Sequence, residues 1–126
     1  MPESSSLDER ISFPTHRGKA IMLIDCSRLD VKEMMVMLDL IQHTVARHAK
    51  NSLLVLADMN DVHFDRATAQ RMKEVLTLDR PYVKRAAWVG SQSVPKVYVE
   101  NFKSFSQREF RAFETREEAM DYLVQD

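Results

Sequence analysis

Five polar side chains that could bind a cation lie close together in one short segment. They are Asp58, Asn60, Asp61, His63 and Asp65. A Ca²⁺ loop of the EF-hand type needs an oxygen ligand at its fifth position, a glycine at its sixth and a glutamate at its twelfth. Counted from Asp58, those positions hold Val62, His63 and Ala69, so the spacing does not fit. We therefore expect these residues to shape a turn and cap a helix, with no metal bound.

Side chains that could act as nucleophiles or bases are scattered rather than grouped. Cys26 is the single cysteine, and a nucleophilic role would require a histidine partner and a lowered thiol pKa. His43 and His48 are five residues apart, so they do not share a helix face as a zinc-binding pair would. Gly90 precedes a Ser-Gln-Ser sequence, but one glycine falls short of a phosphate-binding loop. The sequence therefore predicts no enzyme and no cofactor.

The composition is typical of one compact globular domain. The chain has 126 residues, of which 44% are hydrophobic and 29% charged, enough for a single hydrophobic core. The 18 Lys and Arg against 19 Asp and Glu leave a formal charge of -1, so we expect no nucleic acid binding. No signal sequence or membrane-spanning run is evident, and the lone cysteine suits a reducing compartment. We expect a cytoplasmic protein without stable membrane insertion.

The N-terminal part of the chain predicts an antiparallel hairpin at a sheet edge. Residues 1–10 are polar and are expected to form a flexible N-terminus ahead of a single domain over residues 11–126. A weak strand at Ile11–Phe13 and a buried strand at Ala20–Ile24 should pair through the turn at Thr15–Gly18.

The rest of the chain alternates capped amphipathic segments with apolar runs. Helices are predicted to begin at four capping residues, which are Asp30, Asp65, Ser93 and Thr115. Asp30 forms a capping box with Glu33 and opens a helix over Val31–Ala49. Ser93 is followed by Pro95 in the first turn, and Thr115 forms a second capping box with Glu118. Further strands are predicted at Leu53–Ala57, Tyr82–Val89 and Phe110–Phe113. The order ββαβαβαβα predicts an α/β fold: a mostly parallel sheet of about five strands with an antiparallel edge hairpin and about four helices.

The expected site lies at the carboxyl ends of the parallel strands. In open α/β sheets, ligands bind beyond those ends. The residues placed there are Asp25, Ser27, Asp58, Asp61, His63 and Ser91. We take this strand-end rim as the candidate ligand-binding region.

An apolar pair on the first helix suggests a contact surface. Val36 and Leu40 are four residues apart, on the face that also carries Glu33, His43 and Arg47. Because this face should turn to solvent, the pair is expected to contact a partner protein or a second copy in a homodimer.

Three segments resemble a bacterial family. They are Leu56-Ala-Asp-Met-Asn-Asp-Val-His-Phe-Asp65, Arg80-Pro-Tyr-Val-Lys-Arg-Ala-Ala-Trp-Val-Gly90 and Phe113-Glu-Thr-Arg-Glu-Glu-Ala-Met-Asp-Tyr-Leu123. From about Lys19 to the C-terminus the chain resembles the SpoIIAA-like proteins, which are grouped with the STAS domains. The resemblance implies the same α/β fold, and its motifs carry no assigned chemistry.

The resemblance also implies a mode of action. STAS relatives act as anti-sigma factor antagonists, which bind partner proteins and are switched by phosphorylation of a serine just after an aspartate that opens the second helix. Asp65 matches that aspartate, but Arg66 and Ala67 occupy the serine positions and Thr68 is the nearest hydroxyl. We expect a non-enzymatic interaction or regulatory module without the serine switch. The alternative is a carrier of a small apolar molecule or lipid, of the CRAL-TRIO type.

Overall fold

The computed structural model describes residues 7–106 and 111–125. Its strands are β1 (Ile11–Ser12), β2 (Thr15–His16), β3 (Lys19–Ala20), β4 (Met22–Asp25), β5 (Leu53–Asp58), β6 (Val83–Val89) and β7 (Arg111–Phe113). Its helices are α1 (Val31–Val45), α2 (Arg66–Asp79), α3 (Lys96–Ser106) and α4 (Arg116–Leu123), with short 3-10 turns at Arg80–Tyr82 and Ser91–Ser93.

One five-stranded sheet, ordered β1-β4-β5-β6-β7, organises the described chain. The strand β1 pairs antiparallel with β4, whereas β4, β5, β6 and β7 run parallel. The strands β2 and β3 form a separate hairpin inserted between β1 and β4. Arg17 and Gly18 at its tip have φ angles of 51° and 83°, as a two-residue turn between antiparallel strands requires. The predicted α/β fold is confirmed.

The helices divide unequally between the two faces of the sheet. Three of them, α1, α2 and α3, bury Met34, Met72 and Phe102 against one face, together with Trp88 of β6. On the other face, α4 packs through Ala119 and Leu123 against strand residues that include Leu56. This division follows from the strand order, because successive right-handed crossovers in one direction place their helices on the same face.

The helix α1 shows how local signals fix an element and how burial ends it. Asp30 caps it through a hydrogen bond from the Glu33 N–H, 2.8 Å long, and the Glu33 side chain accepts from the Asp30 N–H at 3.1 Å. The helix ends at Val45, four residues before the predicted Ala49. Val45 is buried and Ala49 is exposed, so the residue that would complete the last predicted turn has no core contact to hold it.

The predicted flexible N-terminus is wrong for its last residues. Leu7 is only 2% exposed and belongs to the core cluster beneath the three helices. Arg10 donates from Nη1 to the carbonyl oxygens of Ser27 and Asp25, at 2.8 and 3.2 Å. The packed domain therefore includes residues 7–10, while residues 1–6 lie outside the described part. Phe110, the predicted first residue of the last strand, also lies outside it.

Val36 and Leu40 do not face solvent as the helical pattern predicted. Both are half-buried and pack against the core cluster beneath the helices. Beside them, Arg71 of α2 reaches across to Asp39 of α1 with a 2.8 Å ion pair. The expected open apolar face is therefore wrong, because both side chains are half-buried within the monomer. Self-association through Val36 and Leu40 stays a prediction.

Candidate functional site

Two carboxylates meet where the central parallel strands end. Asp25 ends β4 and Asp58 ends β5, and the two residues are partners in the parallel register. The prediction that these strand ends meet at one edge is therefore confirmed for this pair. The adjoining backbone continues the contact, because the Cys26 N–H donates to the Asp58 carbonyl at 2.9 Å.

Asp58 is buried and fully engaged. Its residue exposure is 6%, and its Oδ1 atom accepts from the backbone N–H and side-chain Nδ2 of Asn60, at 3.0 and 2.9 Å. Its Oδ2 atom accepts from Nε and Nη2 of Arg116, at 3.0 and 2.8 Å. Such a forked contact holds both groups in place. Asp58 thus acts as an anchor for Arg116 and for the turn at Asn60.

Asp25 is held by its own loop and by two arginines. Its Oδ1 atom accepts from the hydroxyl and the N–H of Ser27, at 2.5 and 3.0 Å. Nη2 of Arg116 lies 3.5 Å from that atom, and Nη1 of Arg10 lies 3.8 Å from it. Burial alone would raise the pKa of Asp25, but the Ser27 hydrogen bonds and then the two arginines outweigh it and lower the pKa.

The two arginines were missed in the sequence interpretation. Arg116 is the first residue of α4, which Thr115 caps by accepting from the Glu118 N–H at 3.2 Å. Because α4 follows β7 directly, its first turn lies at the same edge as the other strand ends. That position could have been inferred from the capping residues at Thr115 and Glu118. Arg10 carried no comparable signal, since it lies in a polar segment.

The remaining predicted rim residues lie in the neighbouring loops. Asp61 adopts a φ of 56° and its N–H donates to the Ser93 hydroxyl at 2.8 Å. His63 is exposed, and Ser91 is half-buried in the 3-10 turn after β6. Within the described residues, no hydrogen bond or ion pair joins these three side chains to Asp25 or Asp58. Three or more metal-ligating side chains placed for one ion are likewise not found among those residues.

An open groove of about 480 Å³ borders the charged network. Its lining residues are Glu9, Arg10, Ser12, Leu23, Asp25 and Arg116. Two arginines and two carboxylates make the lining formally neutral. The helices that follow neighbouring strands diverge to opposite faces only after β6 and β7, whereas this groove lies beside β4, away from that point. The groove is therefore a surface concavity.

The interior offers little room for an apolar ligand. A cavity between the sheet and the helices α1 and α2 has a volume of about 40 Å³, and Leu38, Met72 and Trp88 are among its lining residues. Binding pockets for small molecules typically measure roughly 300–1,000 Å³. This cavity therefore gives the carrier hypothesis no support.

Two side chains considered for chemistry are inaccessible. Thr68 is fully buried, and its hydroxyl donates to Asp65 Oδ1 at 2.8 Å and accepts from the Asp65 N–H at 2.7 Å. Thr68, the hydroxyl nearest to the expected serine position, is therefore shielded from solvent in the folded chain, and its phosphorylation stays an untested prediction. Cys26 is also buried, and burial, followed by the charge of Asp25, raises its thiol pKa to about 12.

Comparisons with known proteins agree with this architecture. The family model described as SpoIIAA-like matches residues 13–124. One solved structure is the crystal structure of an uncharacterized protein of the DUF3478 family, with a SpoIIAA-like fold, from Shewanella loihica. It shares 17% sequence identity, with a TM-score of 0.68, over 90% of this chain and 92% of that one. The search of curated proteins found no match. Among the described residues, no helix is long and apolar enough to span a bilayer.

Proposed function

We propose that this chain, which belongs to the SpoIIAA-like family, is a non-enzymatic module that binds a partner protein through the start of α2. The observation that carries the proposal is the first turn of that helix. Asp65 and Thr68 close it as a capping box, while Arg66 and Ala67 are exposed. The turn presents a cation and a small apolar side chain on a rigid backbone, as an interaction surface does.

The start of α3 extends this surface. Phe64, which precedes the Asp65 cap, packs its ring against Tyr98 and Phe102 of α3, with centroids 6.4 and 5.8 Å apart. These contacts hold the first turns of the two helices side by side. Val97 lies in that part of α3 and is 59% exposed, the most exposed large apolar side chain in the described chain. We call Arg66, Ala67 and Val97 the α2–α3 face.

The α2–α3 face favours a partner that offers an apolar side chain beside a carboxylate. Val97 and Ala67 would contact the apolar group, and the Arg66 guanidinium would pair with the acid. Since no exposed hydroxyl occupies the first turn of α2, binding is independent of phosphorylation there. The hydrogen bonds that tie Asp25 to Ser27 and Asp58 to Arg116 are structural contacts, and they support a non-enzymatic role.

A charge placed in the first turn of α2 tests the proposal. Ala67→Glu should abolish partner binding, because it puts a carboxylate where an apolar contact is needed. The fold should persist, since an acidic residue near a helix N-terminus is favourable. Leu78→Glu is the matched control: Leu78 is 51% exposed and lies at the other end of α2.

The partner is first captured from an extract of the native cells and purified. Its affinity is then measured for wild type, Ala67→Glu and Leu78→Glu. We expect the partner to bind wild type and Leu78→Glu equally and Ala67→Glu at least tenfold more weakly. A partner that binds all three with the same affinity would place the interface elsewhere and contradict the proposal.

A further inference from the structure

A basic pocket lies at the opposite end of the sheet from the strand-end rim. It has a volume of about 310 Å³ and opens beside the C-terminus of α4. Its lining residues are Lys19, Ala20, Ser52, Leu54, Lys84, Arg85, Leu123 and Gln125. Three of these are cations and none is a carboxylate, so the pocket has the charge of an anion site with an apolar floor.

A β-bulge creates this concentration of charge. Successive strand residues normally point to opposite faces of a sheet. Leu53 and Leu54 are consecutive residues of β5, but their partners in β6 are Val83 and Arg85. The register therefore shifts by one residue, and Lys84 is the extra residue of β6. Val83 packs on the three-helix side, whereas Arg85 reaches α4, and Lys84 and Arg85 come to line one pocket. Bulges of this kind re-aim side chains next to functional sites.

Arg85 is held rigidly before any ligand arrives. Its Nη1 atom donates to the carbonyl oxygens of Tyr122, Leu123 and Gln125, at 3.1, 3.3 and 2.7 Å. Its guanidinium also lies over the Tyr122 ring, 5.4 Å from the centroid. Within the described part of the chain, Nε and Nη2 contact no protein acceptor. A guanidinium fixed on one side and open on the other is suited to bind an oxyanion through two N–H groups.

We propose that this pocket binds a small soluble anion that carries a phosphate group. Arg85 supplies the two-pronged contact, and Lys84, which is exposed and has no partner among the described residues, supplies the second charge. Lys19 borders the site while donating to the Val124 carbonyl at 3.1 Å. Leu54 and Leu123 form an apolar floor for the rest of the ligand. The site is separate from the α2–α3 face and does not depend on the proposed function.

The test is an NMR titration of the full chain with inorganic phosphate and then pyrophosphate, at constant ionic strength. We expect saturable shifts of the backbone amides of Ser52, Lys84 and Arg85, with pyrophosphate binding more tightly than phosphate. Lys84→Gln should weaken pyrophosphate binding roughly three- to tenfold. Arg85→Lys keeps the charge but loses the fork, so it should weaken binding as well. Lys32→Gln on α1 removes a charge that is also exposed, away from the pocket, and should change nothing.

Two results would overturn the proposal. One is equal pyrophosphate affinity in wild type, Lys84→Gln and Arg85→Lys, which would show that any binding is general charge attraction. The other concerns the source of the phosphate: binding to vesicles of anionic phospholipid with no saturable binding of pyrophosphate would assign the pocket to a membrane surface instead. Circular dichroism of each variant checks that the fold is intact.

Discussion

Arg116 donates through Nε and Nη2 to one oxygen of Asp58, at 3.0 and 2.8 Å, and so ties the first turn of α4 to the end of the central strand. These residues are 58 positions apart in the chain. The contact fixes α4, which among the described helices is the one that covers this face of the sheet. It also pairs the buried Asp58 carboxylate with a cation. The ion pair at the strand-end rim therefore stabilises the fold.

Removing Arg116 should therefore destabilise the protein. Arg116→Met leaves the Asp58 carboxylate with Asn60 alone, and we expect the free energy of unfolding to fall by about 1–3 kcal/mol. Urea denaturation followed by circular dichroism measures the change. Arg47→Met, at an exposed residue whose side chain forms no hydrogen bond or ion pair within the described chain, is the control and should alter stability by less than about 0.5 kcal/mol. A similar small effect of Arg116→Met would show that the contact contributes nothing.

The lowered pKa of Asp25 predicts a pH dependence with a definite sign. A carboxylate whose pKa is lower in the folded state stabilises the fold above its unfolded value, near 4, and loses that contribution as the pH falls through the folded value. The free energy of unfolding should thus decline on acidification below about pH 4. Asp65 and Asp121 have lowered pKa values too, so Asp25→Asn should reduce this decline without removing it. Urea denaturation between pH 3 and 7 gives the free energy of unfolding at each pH for wild type and Asp25→Asn. If Asp25 plays no part, this free energy will decline equally steeply with falling pH in both proteins.

The two glycines offer a matched pair of substitutions. Both have left-handed φ angles, 83° at Gly18 and 74° at Gly90. A Cβ at Gly90 would overlap Cγ of Asn60 and lie 2.7 Å from its backbone N, whereas at Gly18 it would meet nothing within 4 Å. Gly18→Ala should cost about 1 kcal/mol through backbone strain alone, and Gly90→Ala clearly more. Thermal denaturation of both variants would contradict this account if the costs were equal.

Much of this architecture could be predicted from short-range signals. Asp30 with Glu33 begins α1, and the continuous apolar run at Leu53–Ala57 identifies a strand buried on both faces. The turn at Arg17 and Gly18 is predicted because glycine readily adopts the positive φ angle that the turn needs. These features depend on residues within a few positions of one another, and periodicity and capping rules detect such neighbours well.

The functional geometry depends on contacts that periodicity does not encode. The pairing of Arg116 with Asp58 joins distant segments, and Leu7 is a single apolar residue in a polar stretch, without a repeat to mark it. The bulge at Lys84 breaks the strand alternation that a pattern search assumes. Thr68 was identified only as the hydroxyl nearest to the expected serine, and its position three residues after Asp65 is that of a capping residue.

The buried thiol gives a simple test of the packing at the strand ends. Burial, with the nearby charge of Asp25, raises the pKa of Cys26 to about 12, so the thiolate is scarce at pH 8. We expect 5,5′-dithiobis(2-nitrobenzoate) to leave the native protein unmodified over an hour and to react fully in 8 M urea. Rapid reaction of one thiol in the native state would contradict the burial described here.

Site-specific photocrosslinking is the sharpest test of the proposal that the α2–α3 face binds a partner protein. The crosslinking amino acid p-benzoyl-phenylalanine is placed at Val97, or at Leu78 as a control of similar exposure at the far end of α2. Each variant of the whole chain is irradiated in an extract of the native cells, and the adducts are separated and quantified. We expect one dominant protein adduct from position 97, absent from position 78 and lost when Ala67→Glu is added. Equal adducts from both positions, or an adduct at position 97 that survives Ala67→Glu unchanged, would contradict it.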